Sequence, residues 1–260
     1  MEWDGYFFDL DGTILLGDRL LPGAAETLAG LREKNRRVYF LSNTTTRTRM
    51  ECRDRLHRLG LEARLEEMVT ASYMAAIYLR ETTTDPLVFV VGETAMLKEL
   101  DEQDVRWTTD PLAATHVLVG MDMQFDYQKL HQAQKAVRNG AALIAANPDP
   151  YCPVEQDVIP DTWSMVKAIE AASCIDTQTV IGKPSAYYAD KVLEWSGLTP
   201  DRCLMVGDRL ETDILLGHNN GLQTALVLTG VASLSDAERF SVKPDYIWSS
   251  LTELLPVHRL

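Results

Sequence analysis

The sequence predicts an α/β fold in which strands and helices alternate to form an open parallel sheet, with a second α/β unit inserted in the chain. Short apolar runs of strand length alternate with segments whose apolar residues recur at helical spacing. Four of the apolar runs end directly in polar residues that can carry chemistry. Because ligands of open parallel sheets bind beyond the carboxyl ends of the strands, we expect these four ends to converge on one pocket.

The elements before residue 84 form the first part of the predicted core, residues 1–83. Pro22 suits the start of one helix and Gly60 suits the end of the next, whose arginines we expect mostly on the solvent face. In chain order the predicted elements are a strand through Phe7 and Phe8, a helix on which Leu28 and Leu31 share a face, a strand over 38–41, a helix through Cys52, Leu56 and Leu59, a strand over 68–71, and a helix through Ala75, Tyr78 and Leu79.

A polar break at residues 82–86 predicts a domain boundary, and we expect the second α/β unit over 84–178. Its predicted elements are a strand over 87–91, a helix near Leu97, a strand over 117–119, a helix through Leu130, Ala133 and Val137 that ends at Gly140, and a strand over 143–146. Two of the four polar strand ends precede this unit and two follow it. The sequence therefore predicts a core in two pieces, 1–83 and 179–260, interrupted by an insertion.

Asp9 and Asp11 lie two residues apart where an apolar strand breaks into a turn at Gly12. A buried carboxylate is costly unless it is paired or binds a metal, so two of them at a strand end indicate a cation, a substrate, or both. The same pattern occurs in calcium-binding loops and in ordinary turns. On this segment alone, both interpretations stay open.

Three further strand ends offer partners for these carboxylates. The strand over 38–41 ends in Ser42-Asn43, a short strand precedes Lys183, and the strand over 203–206 runs into Gly207-Asp208, with Asp213 in the following turn. Each has a simpler interpretation: Ser42 as a helix cap, Lys183 as a solvated turn residue, and Asp213 as an aspartate favoured at a helix N-terminus. Four such ends in this order favour a functional site.

With these four motifs the chain resembles the haloacid dehalogenase-like hydrolases over nearly its whole length. The motifs that carry the resemblance are Asp9-Leu10-Asp11-Gly12-Thr13, Ser42-Asn43, Lys183, and Gly207-Asp208 with Asp213. The insertion follows the serine motif, and in this the chain resembles the class IIA, or NagD-like, branch. The resemblance implies a doubly wound, Rossmann-like parallel-sheet core with an inserted α/β cap domain. It also implies a magnesium-dependent phosphatase acting on small phosphate monoesters, such as a sugar phosphate or a related metabolite.

The residue types suit that chemistry. Phosphate monoester hydrolysis is among the slowest reactions in water, so an enzyme must place a nucleophile and neutralise the phosphoryl oxygens. We expect Asp9 to attack phosphorus and form an aspartyl phosphate, and Asp11 to protonate the leaving alcohol and later deprotonate water. By the resemblance, Mg²⁺ is held by the side chain of Asp9, the backbone carbonyl of Asp11 and the carboxylate of Asp208.

The resemblance also implies which residues bind the phosphoryl group. They are Ser42, Asn43 and Lys183, and we expect Gly12 to let the backbone approach the phosphate closely. Asp213 is expected to orient either metal-bound water or Lys183 from outside the set of metal ligands.

Substrate selection is expected from loops of the cap. The candidate residues follow a predicted strand of the second unit, where we expect them to face the nucleophile. They are Asn147, Asp149, Tyr151 and Cys152. Their simpler interpretation is a proline-rich turn, and the two are compatible. Many relatives carry small residues shortly after this loop, whereas this chain has Trp163, which suggests a restricted or reshaped pocket.

The composition of the chain limits the kinds of binding partner and cellular location that we expect. The chain has 260 residues, 46% of them hydrophobic, and a formal charge of -13, which argues against nucleic acid because phosphate backbones are bound by clustered lysine and arginine. Four widely spaced cysteines suggest neither a disulfide framework nor a thiolate zinc site. No apolar run approaches membrane-spanning length, and the first strand follows Met1 too closely for a signal peptide, so we expect a cytoplasmic protein without a membrane partner. A homodimer stays open.

Two alternatives to a phosphatase remain at this point. A phosphotransferase or mutase on the same scaffold would need a cap that keeps water from the aspartyl phosphate. A non-catalytic protein that binds phosphoesters for regulation would be free to lose catalytic residues, whereas this chain holds all of them.

Overall fold

The computed structural model of the chain describes residues 3–154 and 157–254. Over these residues it consists of helices, two larger parallel sheets and two short antiparallel pairs of strands, so the predicted α/β class is confirmed. The chain forms two compact units: the first unit is Met1–Ser42, Cys52–Val69 and Lys183–Leu260, and the second unit is Asn43–Glu51 and Thr70–Gly182.

Strands and helices alternate along most of the chain. The strands are β1 (Gly5–Asp9), β2 (Leu15–Leu16), β3 (Arg19–Leu20), β4 (Arg37–Ser42), β5 (Met68–Thr70), β6 (Leu87–Val91), β7 (Arg106–Trp107), β8 (His116–Val119), β9 (Ala142–Ala145), β10 (Tyr151–Val154), β11 (Asp157–Pro160), β12 (Thr179–Val180), β13 (Cys203–Gly207), β14 (Gln223–Val227) and β15 (Tyr246–Trp248). The helices are α1 (Ala24–Glu33), α2 (Arg49–Arg58), α3 (Ala71–Thr82), α4 (Thr94–Glu102), α5 (Tyr127–Arg138), α6 (Thr162–Ser173), α7 (Ala186–Ser196), α8 (Leu215–Asn219) and α9 (Leu234–Arg239).

The first unit is built on a six-stranded sheet in the order β15-β14-β13-β1-β4-β5. β1 lies near its centre, parallel to β13 on one side and to β4 on the other, and all five of its residues are buried. On α1, Leu28 and Leu31 are buried on the face that joins the core beside Phe8 and Phe40. Burial of this apolar surface places the ends of β1, β4 and β13 along one edge of the sheet.

The second unit has its own five-stranded sheet, in the order β12-β9-β8-β6-β7, and its pairings are parallel. Ala133, Ala136 and Val137 form the buried stripe of α5, and they pack in a core with strand residues such as Val117 and Leu143. A separate antiparallel hairpin joins β10 and β11. This unit therefore contains an independent apolar core of its own.

The unit boundaries differ from the expected ones. The predicted insertion spans 84–178, whereas residues 43–51 and 70–83 also belong to the second unit, and its last residue is Gly182. The polar break at 82–86 marks the end of α3, and the second unit already includes this helix, because it resumes at Thr70.

Two simpler expectations concern membranes and cysteines. Among the helices that the structure describes, none combines the length and the apolar character needed to cross a membrane. Within the described residues no disulfide joins the four cysteines; Cys52 and Cys203 are buried, Cys152 is half-buried and Cys174 is exposed.

Candidate active site

The carboxyl ends of three neighbouring strands place the motif residues of the first unit side by side. Asp9 is the last residue of β1, and it pairs with Leu41, so Ser42 lies one position further along β4. On the other side Phe8 pairs with Val206, so Gly207 ends β13 level with Asp9, and Asp208 follows it. Parallel pairing in this register brings Asp9, Ser42 and Asp208 to one edge of the sheet.

Lys183 is the cation of this edge, although it is far away in sequence. Its Nζ atom donates hydrogen bonds to Oδ1 of Asp9 and to Oδ1 of Asp213, each at 2.6 Å, and to the carbonyl oxygen of Leu41 at 2.9 Å. The side chain is buried, with 1% of the residue exposed. A lysine held by three acceptors in this way is a fixed positive charge and not a solvated turn residue.

The charges of the edge shift one another's proton affinities. Burial opposes the charge on Lys183, but the attraction of Asp213 and Asp9 outweighs it and raises the pKa of Lys183 above its ordinary value. Burial holds the pKa of Asp9 well above its usual range; Lys183 opposes this effect, and Asp213 and Asp208 add to it. One lysine therefore does not neutralise the carboxylates gathered around it.

The carboxylates of Asp9, Asp208 and Asp213 form a cluster that suits a metal ion. One oxygen from each lies within 4.8 Å of the others, and all three residues are buried. Oδ1 of Asp208 is buried without a hydrogen-bond partner in the described part of the chain, and burial together with Asp213 raises the pKa of Asp208 to about 7. A hard divalent cation prefers oxygen ligands and favours their charged forms, so this donor set fits Mg²⁺.

Glycines leave room for the Asp208 carboxylate. Gly12 has a φ of 100°, and a Cβ atom on it would collide with Oδ2 of Asp208. A Cβ atom on Gly230 would collide with the same carboxylate, which also accepts a hydrogen bond from the backbone N–H of Val231 at 2.7 Å. The carboxylate is therefore enclosed by backbone, and side chains at these glycines would displace it.

Asp213 is oriented toward the lysine. Its Oδ1 accepts the hydrogen bond from Lys183, and its Oδ2 accepts one from the backbone N–H of Arg209 at 3.1 Å. Gly207 permits this position, because a Cβ atom there would collide with the Asp213 side chain. Of the two expected roles, this geometry matches the orientation of Lys183.

Asp11 points away from the three clustered carboxylates and toward helix α2. Its Oδ1 accepts a hydrogen bond from Nη1 of Arg55 at 2.9 Å, and its side chain is 53% exposed. The structure therefore does not place the Asp11 carboxylate in the cluster, and binding of a metal ion by its backbone carbonyl stays a prediction.

Ser42 and Asn43 belong to different units. Ser42 is buried at the end of β4, and its carbonyl oxygen accepts a long hydrogen bond, 3.5 Å, from the hydroxyl of Tyr188. The side-chain amide of Asn43 donates to Oδ2 of Asp149 at 3.1 Å, inside the second unit. Phosphate binding by these two residues stays a prediction.

The residues expected to select the substrate divide into two pairs within the second unit. Asn147 and Asp149 are buried: Asn147 donates to the carbonyl oxygen of Asn43 at 2.7 Å, and Asp149 accepts from the Asn43 side chain. Tyr151 and Cys152 lie on β10, where Tyr151 is 43% exposed and Cys152 is half-buried. The first pair therefore shapes the chain around Asn43, whereas Tyr151 is open to solvent.

Trp163, expected to restrict a pocket, has a packing role in the second unit. It lies in the first turn of α6 and is partly buried against the core of that unit. The Nζ atom of Lys167 lies over its ring, 4.6 Å from the ring centroid, in a cation–π contact.

Arg55 and the segment 229–231 lie near the motif residues of the first unit but were not among the site residues predicted from the sequence. Arg55 is buried, whereas most arginines of α2 were expected on the solvent face. The segment 229–231 follows β14, and the hydroxyl of Thr229 donates to the carbonyl oxygen of Gly12 at 2.6 Å. Thr229 is not part of a motif that the sequence analysis used. Its position just after an apolar strand, like that of the other polar strand ends, is the signal that could have identified it.

Comparison with known proteins agrees with this geometry. A family model described as haloacid dehalogenase-like hydrolase matches residues 6–106, and a second, described as HAD-hydrolase-like, matches residues 180–254. The chain is 33% identical over 250 residues to the sugar-phosphatase AraL of Bacillus subtilis, covering 96% of this chain and 91% of the relative.

Solved structures extend the similarity to the whole fold. NagD from Escherichia coli K-12 is 30% identical with a TM-score of 0.89, covering 97% of this chain and 98% of NagD. A glycerol phosphate phosphatase of Mycobacterium tuberculosis in complex with magnesium is 33% identical with a TM-score of 0.90, covering 97% and 76% of the two chains.

A parallel sheet whose edge gathers carboxylates and a buried lysine is typical of enzymes that act on phosphoryl groups. The chain belongs to the haloacid dehalogenase-like hydrolases, in the class IIA, NagD-like branch, and it is a phosphatase.

Proposed function

We propose that the protein hydrolyses small phosphate monoesters with the help of Mg²⁺ and through an aspartyl phosphate on Asp9. The observation that carries this proposal is the pairing of Asp9 with Lys183 at 2.6 Å. Lys183 opposes the effect of burial on the pKa of Asp9 and so favours the charged, nucleophilic form of this carboxylate, and the cation also attracts the phosphoryl oxygens. The non-catalytic alternative has no comparable support.

In the first step, a carboxylate oxygen of Asp9 attacks phosphorus and the bond from phosphorus to the substrate oxygen breaks. Asp11 gives its proton to that oxygen, so the product leaves as a neutral alcohol. Lys183 and Ser42 are proposed to offset charge on the phosphoryl oxygens. The step ends with an aspartyl phosphate on Asp9 and an ionised Asp11.

In the second step, Asp11 takes a proton from a water molecule, which attacks phosphorus and releases inorganic phosphate. Asp9 regains its carboxylate and Asp11 regains its proton, so the enzyme returns to its starting state. A half-exposed Asp11 suits this exchange, because both the alcohol and the water arrive from solvent.

The proposed holders of Mg²⁺ are Asp9, the backbone carbonyl of Asp11, and Asp208. The unpartnered Oδ1 of Asp208 and the excess of carboxylates over lysine support this assignment. When bound, the ion supplies positive charge that stabilises the phosphoryl oxygens. Asp213 is proposed to act outside the ligand set, through Lys183.

We propose a phosphorylated sugar or polyol as the substrate class. The similar proteins named above include a sugar-phosphatase and a glycerol phosphate phosphatase, which supports this class. Tyr151 and Cys152 are the proposed selecting residues, because Asn147 and Asp149 are buried around Asn43. The charge of -13 supports the absence of a nucleic-acid partner, and a cytoplasmic location remains part of the proposal.

The test measures phosphate release from glycerol 3-phosphate, a panel of sugar phosphates and p-nitrophenyl phosphate, with Mg²⁺ and with a chelator. We expect Mg²⁺-dependent release by the wild type, none by Asp9→Asn, and wild-type rates for the control Asp190→Asn, which replaces an exposed residue of α7. Phosphate transferred to a sugar acceptor without free phosphate would instead support a phosphotransferase.

A further inference from the structure

Arg55 is a buried arginine with a bridging position in the first unit. It lies in α2 with only 8% of the residue exposed. Its Nη1 donates to Oδ1 of Asp11 at 2.9 Å, and its Nη2 donates to the carbonyl oxygen of Gly17. The side chain therefore joins α2 to both ends of the short segment 11–17.

These contacts are specific to a guanidinium group. Burial of a cation is costly unless the cation is paired and hydrogen-bonded. Here the two hydrogen bonds compensate for this cost, together with an ion pair to Asp18, whose Oδ1 lies 3.9 Å from Nε. The planar fork of arginine holds a carboxylate oxygen and a carbonyl oxygen at the same time, which the single ammonium group of lysine does with less geometric control. Arg55 thus fixes the Asp11 side chain relative to the turn between β2 and β3.

Within the part of the chain that the structure describes, Asp11 is anchored through one oxygen. Arg55 binds Oδ1, and the side chain stays 53% exposed. A protonated carboxyl group still accepts a hydrogen bond at one oxygen while it carries its proton on the other. A cation at Oδ1 therefore directs the proton to Oδ2.

We propose that Arg55 is a positioning residue for the acid/base step: it holds Oδ1 of Asp11 so that Oδ2 is the oxygen that exchanges the proton with the leaving alcohol and with water. This inference rests on the proposed function and deepens it. A carboxyl group that is free to rotate spends less time in the productive orientation, and proton transfer in the transition state weakens.

The consequence is a dependence on the leaving group. An alkyl phosphate releases a basic alkoxide that needs a proton, whereas p-nitrophenyl phosphate releases a weakly basic phenolate that does not. The value of kcat/KM reports steps up to the first irreversible one, the transfer to Asp9, so it isolates the protonation of the leaving group. A loss of positioning should therefore reduce kcat/KM for glycerol 3-phosphate far more than for p-nitrophenyl phosphate.

The experiment compares Arg55→Met and Arg55→Lys with Arg58→Met, a control on the exposed face of the same helix. For Arg55→Met we expect kcat/KM to fall by about 30-fold or more with glycerol 3-phosphate and by less than about 3-fold with p-nitrophenyl phosphate, within the usual scale of acid/base help. Arg55→Lys should recover part of the loss, and Arg58→Met should match the wild type on both substrates.

A double-mutant cycle with Asp11→Asn tests whether Arg55 acts through Asp11. In that background Arg55→Met should cost almost nothing further, because its partner has already lost the transferable proton. Full additivity, or an equal loss on both substrates, would overturn the proposal and leave Arg55 a purely structural residue. If Arg55→Met does not fold by circular dichroism, the same comparisons with Arg55→Lys decide the question.

The outcome is also separable from the proposed function. If Asp11→Asn itself shows no preference for p-nitrophenyl phosphate over the alkyl ester, the proposed acid/base role of Asp11 is wrong. If Asp11→Asn shows that preference and both Arg55 variants do not, only the inference about Arg55 is wrong.

Discussion

The Nζ atom of Lys183 lies 2.6 Å from Oδ1 of Asp9, and this ion pair is almost completely withdrawn from solvent. The two residues come from distant parts of the sequence, and both lie in the first unit. Lys183 also binds Asp213 at the same distance, so one cation holds two carboxylates. The charge balance of the site therefore depends on a single side chain.

Replacement of that side chain should separate stability from activity. We expect Lys183→Met to lower the free energy of unfolding by about 3–5 kcal/mol, because it leaves Asp9 and Asp213 buried without their cation. Activity should fall by at least about a hundredfold, since the phosphoryl oxygens lose a fixed positive charge. Urea denaturation and phosphate release measure the two effects.

The second variant in this experiment removes one of the stranded carboxylates. Lys183→Met with Asp213→Asn should regain part of the stability but none of the activity. Lys191→Met, on α7, is the control and should retain both. Recovery of turnover in the double variant would show that Lys183 acts only through protein stability.

Loss of the Asp208 carboxylate should weaken the binding of Mg²⁺ in a measurable way. In Asp208→Asn we expect the half-saturating Mg²⁺ concentration for activity to rise at least about tenfold, a usual scale for a damaged metal site. Without metal, the variant should unfold at a higher temperature than the wild type, because one like charge leaves the cluster of Asp9, Asp208 and Asp213.

Mg²⁺ should then raise the unfolding temperature of the wild type but not that of Asp208→Asn. Asp190→Asn, at an exposed position of α7, is the matched control and should behave as the wild type. An unchanged Mg²⁺ titration in Asp208→Asn would remove Asp208 from the proposed ligands.

Glu99 predicts a pH dependence of stability in the second unit. It is fully buried, and its Oε1 accepts a hydrogen bond from the backbone N–H of Arg49 at 2.6 Å. Burial raises its pKa from 4.5 to about 7, against the effect of that hydrogen bond. The folded state therefore holds a proton that the unfolded state loses, and the stabilising contribution disappears as the pH rises through 7.

Glu99→Gln keeps an acceptor for Arg49 and cannot ionise. Its free energy of unfolding, relative to the wild type, should increase between pH 5 and pH 8 by on the order of 2 kcal/mol. Urea denaturation at the two pH values measures this difference, with Glu81→Gln on the exposed side of α3 as the control. A difference that stays constant with pH would contradict the assignment.

The parts of the fold that could be predicted are those with a strong apolar pattern. The buried stripes of α1 and α5 repeat at helical spacing, and the strands of both sheets are short apolar runs. The β10–β11 hairpin was not predicted, because Pro150, Pro153 and Pro160 give the segment 147–161 the composition of a turn. The α6 helix was not predicted either, although Met165, Val166 and Ile169 repeat at helical spacing. Asp161, which caps α6, was part of that same turn-like segment.

Some residues of the candidate site could likewise be predicted from the sequence, and others could not. Asp9 ends β1 and Asp208 directly follows β13 of the same sheet, and the rule for parallel sheets places such ends on one edge. That rule does not account for Lys183, because β12, the strand before it, belongs to the five-stranded sheet. Arg55 lies beside the apolar positions Cys52 and Leu56 of α2, but its contact with Asp11 depends on tertiary packing across 44 residues. Asn43 could not be assigned to the second unit from the sequence, because it follows directly on Ser42 of β4.

Chemical trapping in Asp11→Asn shows whether Asp9 carries the phosphoryl group during turnover. With p-nitrophenyl phosphate this variant should form the aspartyl phosphate but hydrolyse it slowly, because water lacks its base. We predict that quenching and borohydride reduction convert residue 9 to homoserine, detected by peptide mass spectrometry, only when substrate is present. Steady turnover with residue 9 unmodified, or a modification at another carboxylate, would contradict the account.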